Sequence, residues 1–164
     1  MAFGDMPFGM KEIKLQVGSG ALVELKSSLM LKFKEKFVSG EGRGGDRLVA
    51  IASAKDGVEW EMEATGVTIA AYALKTGLTA SAASTTPNQT LTLQSTTTNR
   101  YPYFTIYGRA LGVGADDVHY KIIIAKLTEG MDAPLADGVF TKSAFKGEAL
   151  TWEITQNETA VAIS

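Results

Sequence analysis

Asp56-Gly57 stands between two runs of alternating polarity in the stretch from Asp46 to Gly77, DRLVAIASAKDGVEWEMEATGVTIAAYALKTG. An Asp-Gly pair so flanked is the preferred centre of a two-residue type I′ hairpin turn, because both central residues take φ > 0. The register then follows: Lys55 opposite Val58, Ser53 opposite Trp60, Ile51 opposite Met62 and Val49 opposite Ala64, all on one face that forms the core. The other face sets Ala54, Ala52 and Ala50 against Glu59, Glu61 and Glu63, an acidic stripe beside a stripe of small side chains.

After Gly66 the period changes. VTIAAYALKT spaces its apolar residues as a helix does and Gly77 is a C-terminal stop, so a short helix is expected near 67–76, lying over a sheet edge through Ile69, Tyr72 and Ala73. Before the hairpin, Lys11 to Val17 alternates as a half-buried strand, and Leu22 to Leu25 is a weaker strand or an extended connection. The longest alternation puts Leu29, Leu31, Phe33 and Phe37 inward and Met30, Lys32, Lys34 and Lys36 outward, with Glu35 as an inward exception that marks a bend or the strand's exit from the core. Ser39 to Asp46, SGEGRGGD, is a glycine-rich hairpin tip. It is no phosphate cradle, since a strand follows it rather than a Gly-Lys-Ser/Thr helix start.

In the second half, Leu78 to Asn99 is rich in Thr, Ser and Ala, with one strand expected from Thr90 to Ser95. Tyr103 to Tyr107 is the next strand and Gly112 to Asp117 a turn. Val118 to Leu127 is apolar on both faces through Ile122, Ile123, Ile124 and Ala125, the pattern of a strand covered on both sides. Val139 to Phe145 and Ala149 to Ile154 are two strands around a turn at Lys146-Gly147-Glu148, with Trp152 as a core anchor. Thr159 to Ile163 ends the chain as an apolar edge segment.

If the lysine, alanine and glutamate strands form a meander, the Lys and Glu rows flank the Ala row, each about 4.8 Å from it. Exposed pairs leaning over the alanines contribute only about 0–1 kcal/mol each, so stability is a poor reason for the pattern. The rows make a hydrophilic face with little for a passing polymer to grip, and an ordinary solvated sheet face reads the same way.

Other chemistry is sparse. The 164 residues suit a single domain, cysteine is absent, and net charge is −2, which offers no basic footprint for nucleic acid. MAFGDMPFGM has neither the basic start nor the long apolar run of a signal or membrane segment. Its Phe3, Met6, Phe8 and Met10, separated by Gly and Pro, suit an arm over residues 1–10 that docks on a neighbouring subunit. His119 is the single histidine. With Asp116 and Asp117 it makes an incomplete metal set, read as a structural turn and a solvated ring, and no nucleophile elbow accompanies it. No enzyme activity, metal or cofactor is expected.

The run DGVEWEMEATGVTIAAYALKTG, a Glu-Trp-Glu strand passing through glycine into one short helix, resembles the major tail tube protein of long-tailed phages. YFTIYGRALG, HYKIIIAKLTEG, LADGVF and FKGEALTWEI follow in the strand order of that family, so the resemblance spans about Gly18 to Ile154. It implies a mainly β, barrel-like β-sandwich over 11–164 with one flanking helix. It also implies sixfold rings, stacked into a tube that conducts DNA without binding it specifically. The partners implied are further copies of the chain and tail proteins such as initiator, terminator and tape measure, in a virion tail assembled in the host cytoplasm. Lys32, Lys34, Lys36, Glu59, Glu61 and Glu63 are then the candidate lumen face, the glutamates neutralising or outnumbering the lysines. Phe3, Met6, Phe8, Glu41, Arg43, Asp46 and Arg47 are candidates for contacts between subunits or rings. The related tube of contractile secretion systems is the near alternative. A monomeric β-sandwich binding a glycan or peptide on Tyr101, Tyr103 and Tyr107 is the alternative of a different class.

Overall fold

The computed structural model describes residues 9–44, 47–66, 69–78, 90–92, 101–112, 117–130, 132, 142–157 and 161–163. Its elements are β1 (Met10–Gln16), β2 (Val23–Gly44), β3 (Arg47–Gly66), α1 (Ile69–Thr76), β4 (Phe104–Leu111), β5 (Asp117–Leu127) and β6 (Ser143–Asn157). All pairings are antiparallel and run β1-β2-β3-β6-β5-β4, with β1 returning to β4 to make a barrel. The mainly β, barrel-like expectation with one short helix holds. The β1–β2 seam is short, Ile13 to Leu15 against Val23 to Leu25.

Alternation fills the interior. Ile13 and Leu15 of β1, Val58, Trp60 and Met62 of β3, Phe104 and Ile106 of β4 and Phe145 of β6 are all buried, in one cluster with Ala71 of α1. Trp60 meets Phe104 edge to face at 5.7 Å between centroids and donates its indole N–H to the Glu148 carbonyl at 3.2 Å. Gly147 makes room for that indole, since a Cβ there would lie 2.4 Å from Trp60 Cζ2 and 2.0 Å from the Lys126 carbonyl oxygen.

Asp56-Gly57 is not a hairpin turn. β3 runs straight through it, paired with β2 along its whole length, so Trp60 faces Phe33 and Ser53 faces Ser39. The positive φ that favours glycine appears at Gly57, at +128°, but it serves a bulge: Lys36 pairs with Gly57 and Phe37 with Lys55, leaving Asp56 as the extra residue. Asp-Gly signals left-handed backbone, and a bulge satisfies that signal as well as a turn. The hairpin instead closes between Gly44 and Arg47, and Ser39 to Gly44 is strand. The alanine row therefore does not lie between lysines and glutamates. Ala50, Ala52 and Ala54 pair with Gly42, Gly40 and Val38, farther out along the same two strands.

Beyond the bulge the two strands form a ribbon with no third strand among the described residues, because β6 pairs with β3 only from Val58 to Ala64. Phe37 and Val38 are each 59% exposed there. The ribbon's root is braced by Glu35, which accepts the Trp152 indole N–H at 2.6 Å and pairs with Lys55 at 2.8 Å. Trp152 is half-buried and stacks on Phe33 at 5.0 Å, so it anchors this brace rather than the centre of the core. The sequence exception at Glu35 marks where the strand leaves the barrel.

Two further expectations change. Lys146-Gly147-Glu148 lies inside β6, which is continuous from Ser143 to Asn157. The apolar run of β5 is not covered on both sides: Ile122 and Ala125 are buried whereas Ile124 is 40% exposed with φ +56°. The β4–β5 register shifts between Phe104 and Ile106, so a bulge inverts the alternation at Ile123 and Ile124. Left-handed backbone at a β-branched residue is a strained outlier. Of the strand expected from Thr90 to Ser95, Thr90 to Thr92 are not strand and the remainder lies outside the described residues.

Candidate functional site

The six residues expected to line one wall do share one. Directly opposed residues of an antiparallel pair point the same way, and β2 sets Lys32 against Glu61 and Lys34 against Glu59. β6 extends these rows by placing Lys146 beside Glu61 and Glu148 beside Glu59. The wall is thus three strands wide, with rows Lys34-Glu59-Glu148 and Lys32-Glu61-Lys146. A shallow depression of about 530 Å³ runs along it, lined also by Thr128 and Glu129.

Charge on the wall is locally balanced. Glu59 opposite Glu148 is a repulsive juxtaposition, and Lys36 resolves it with its Nζ 2.7 Å from Glu148 and 3.6 Å from Glu59. The Glu148 hydrogen bond is the main reason the Lys36 pKa is raised, followed by the charge of the same carboxylate. Lys146 lies 3.8 Å from Glu61 and Lys142 3.6 Å from Glu63. Glu61 is therefore answered from β6 and Glu63 from the residue just before it, which the sequence pattern did not suggest. Glu63 pairs in register with Met30 of β2 and Ala144 of β6. All these charges are at least partly exposed, so solvent screening keeps each pair weak.

The remaining candidates are dispersed. Glu41 is exposed on the ribbon, while Arg43 and Arg47 stand at its tip by register. Phe3, Met6, Phe8 and Asp46 lie outside the described residues. Tyr101 and Tyr103 are exposed, but Tyr107 is half-buried and donates its hydroxyl to Gln16 Oε1 at 2.9 Å, so the three do not present equivalent rings.

Asp117 and His119 form a second polar cluster. The Asp117 carboxylate is wholly buried and accepts from Arg109 Nε at 2.6 Å, Asn157 Nδ2 at 2.7 Å, the Val161 backbone N–H at 2.8 Å and lies 3.1 Å from His119 Nε2. Burial alone would raise its pKa. The donors, Asn157 foremost, outweigh burial and hold it down at about 2. His119 Nε2 is also 3.0 Å from the Val161 carbonyl, and Lys14 Nζ donates to the Ile163 carbonyl at 2.7 Å. The C-terminal segment is thus strapped across β1, β4 and β5, with Ile163 buried, rather than left as an open edge. His119 is a bonded part of this strap, not a solvated ring. No group of three metal-ligating side chains occurs among the described residues.

One group stands apart from both clusters. Lys75 of α1 is fully buried, its Nζ has no hydrogen-bond partner among the described residues, and it sits 3.1 Å from the centroid of the Phe145 ring. Lysine is ordinary in the last turn of a helix, so nothing in the sequence marks it. No protein-family model matches the chain, and a search of curated proteins finds no match.

Proposed function

We propose that this chain is the structural subunit of a tube, closing into hexameric rings that stack around a lumen through which DNA passes, as in the tails of long-tailed phages. The observation that carries the reading is a wall of paired lysine and glutamate rows at the root of a ribbon whose ladder edges lack partners. Along Met30 to Gly40 of β2, and along Arg47 to Gly57 on the side of β3 away from β2, no strand pairs among the described residues. Long unpaired edges are a liability in a monomer and a means of joining in a ring, where a heterologous contact between copies closes on itself.

The wall suits a conduit. Each unpaired lysine facing phosphate adds a salt-dependent grip. Lys36, Lys142 and Lys146 are instead engaged by carboxylates of the same wall, which leaves Lys32 and Lys34 as its exposed cations without an ion pair among the described residues. A tube of a contractile secretion system would use the same ring and the same joining edges.

Negative-stain microscopy and light scattering across a concentration series test the reading. Rings or hollow tubes are the expected result. A monodisperse monomer at every concentration, unaltered by deletion of residues 1–10, overturns it and favours a binding module displaying Tyr101 and Tyr103.

A further inference from the structure

Helix α1 has eight residues, too few to be stable in water without docking. Its buried residues are Ala71, Lys75 and Thr76, so two of the three are polar. Thr76 satisfies its hydroxyl by donating to the Tyr72 carbonyl at 2.9 Å. Lys75 has no such outlet: its amine is fully buried, unbonded and pressed against the Phe145 face. A ring face attracts a cation, but loss of hydration opposes the charged form more strongly in an apolar site.

Among the described residues the surroundings offer no counter-ion. The helix packs on β1 and β2 and reaches Phe145 of β6 through Tyr72, with ring centroids 6.3 Å apart. On β1, Glu12 and Lys14 alternate with buried Ile13 and Leu15 and hold the C-terminal strap on the outer face. On β2, Glu24 is exposed, and on β6 Ser143 is the buried polar neighbour in sequence while Lys146 is exposed. Tyr72 and Tyr101 are the titratable groups on the helix side, and burial, then Tyr101, raises the Tyr72 pKa.

We propose that Lys75 makes the seating of α1 proton-dependent: the helix docks on the barrel with the amine uncharged and is released more readily as the amine takes up a proton. Burial alone lowers the docked pKa to about 7 from an ordinary 10.5. The released helix binds the proton at the ordinary value, so docking weakens as pH falls from 10.5 towards 7 and levels off below 7. The device is independent of the tube reading.

Hydrogen exchange resolved by residue tests it, with rates corrected for intrinsic exchange. From pH 8.5 to pH 7.0 the opening constant of the amides from Ala73 to Leu78 should rise about 15-fold, while those of Ile13 and Leu15 change little. Lys75→Met should abolish the rise. A 15-fold change that persists in Lys75→Met, or one spread equally over β1, overturns the proposal. Carbon NMR of the lysine side chains supplies a second reading on the unaltered protein: one lysine should titrate near pH 7, and titration of all lysines near 10.5 overturns it as well.

Discussion

Replacing Asp117 with Asn tests whether the C-terminal strap is fastened by one carboxylate. Asp117 Oδ2 alone serves Arg109, Val161 and His119, while Oδ1 serves Asn157. An amide of the same shape has one acceptor where the carboxylate has two, so either the Arg109 and Val161 donors or Asn157 must face an N–H. Arg109, only 12% exposed, keeps Glu12 at 3.6 Å as its remaining anion. Leaving a buried donor unsatisfied and a buried cation poorly paired costs about 2–4 kcal/mol. For a chain of this size that is a fall in Tm of roughly 5–15 °C.

Acid supplies an independent check. The folded pKa of Asp117 is depressed, to about 2 from 3.8, so its contribution is present above 3.8 and is lost as pH falls through about 2. That difference corresponds to roughly 2 kcal/mol. Chemical denaturation at pH 7, 4, 3 and 2 should show the two proteins about 2–4 kcal/mol apart at neutral pH and converging by roughly 2 kcal/mol at pH 2. A gap under about 0.5 kcal/mol at pH 7, or one unchanged down to pH 2, would refute the reasoning.

Other outcomes follow from the same geometry. On the proposed tube reading, reversing Glu59, Glu61 and Glu63 to Lys replaces exposed, solvent-screened attractions by repulsions and should leave assembly largely intact yet slow genome release from particles built with the variant; unchanged release removes these residues from the lumen. Gly147→Ala should destabilise by about 3 kcal/mol or more in denaturant titration, because the new methyl meets backbone at Lys126 as well as the Trp60 ring. Trp152→Phe removes the N–H given to Glu35 while keeping a ring on Phe33; a loss of about 1–2 kcal/mol is expected, and faster exchange at Phe37 and Lys55 should accompany it.

Where alternation or helical spacing was uninterrupted, local pattern carried the fold. β1, the α1 span and the inward set Val58, Trp60 and Met62 were legible because burial on one face imposes a fixed period. The wall was legible residue by residue but not in its arrangement, since which strand answers Glu61 depends on a β6 partner more than eighty residues away. Glycine misled twice. At Gly57 and Gly147 it marks a bulge and a close approach within strands, where sequence reading expected turns. The triplet Ile122-Ile123-Ile124 misled for a related reason, because a bulge makes adjacent residues face the same way and imitates a strand covered on both sides. Lys75 and the strap gave no signal at all, for burial of a lysine or of a chain end is decided by what packs over it.

The bulge at Asp56 also governs direction. From Phe37 to Gly44 the ribbon is about 27 Å long at roughly 3.4 Å per residue, and it pivots where one strand carries one residue more than its partner. A change of about 10° at that pivot swings the far end sideways by about 5 Å, one inter-strand spacing. Any partner strand aligned with the tip would then be met one ladder position away. Inserting or deleting a single residue at the pivot is therefore a change of aim rather than of strength, with the barrel intact and its reach landing elsewhere.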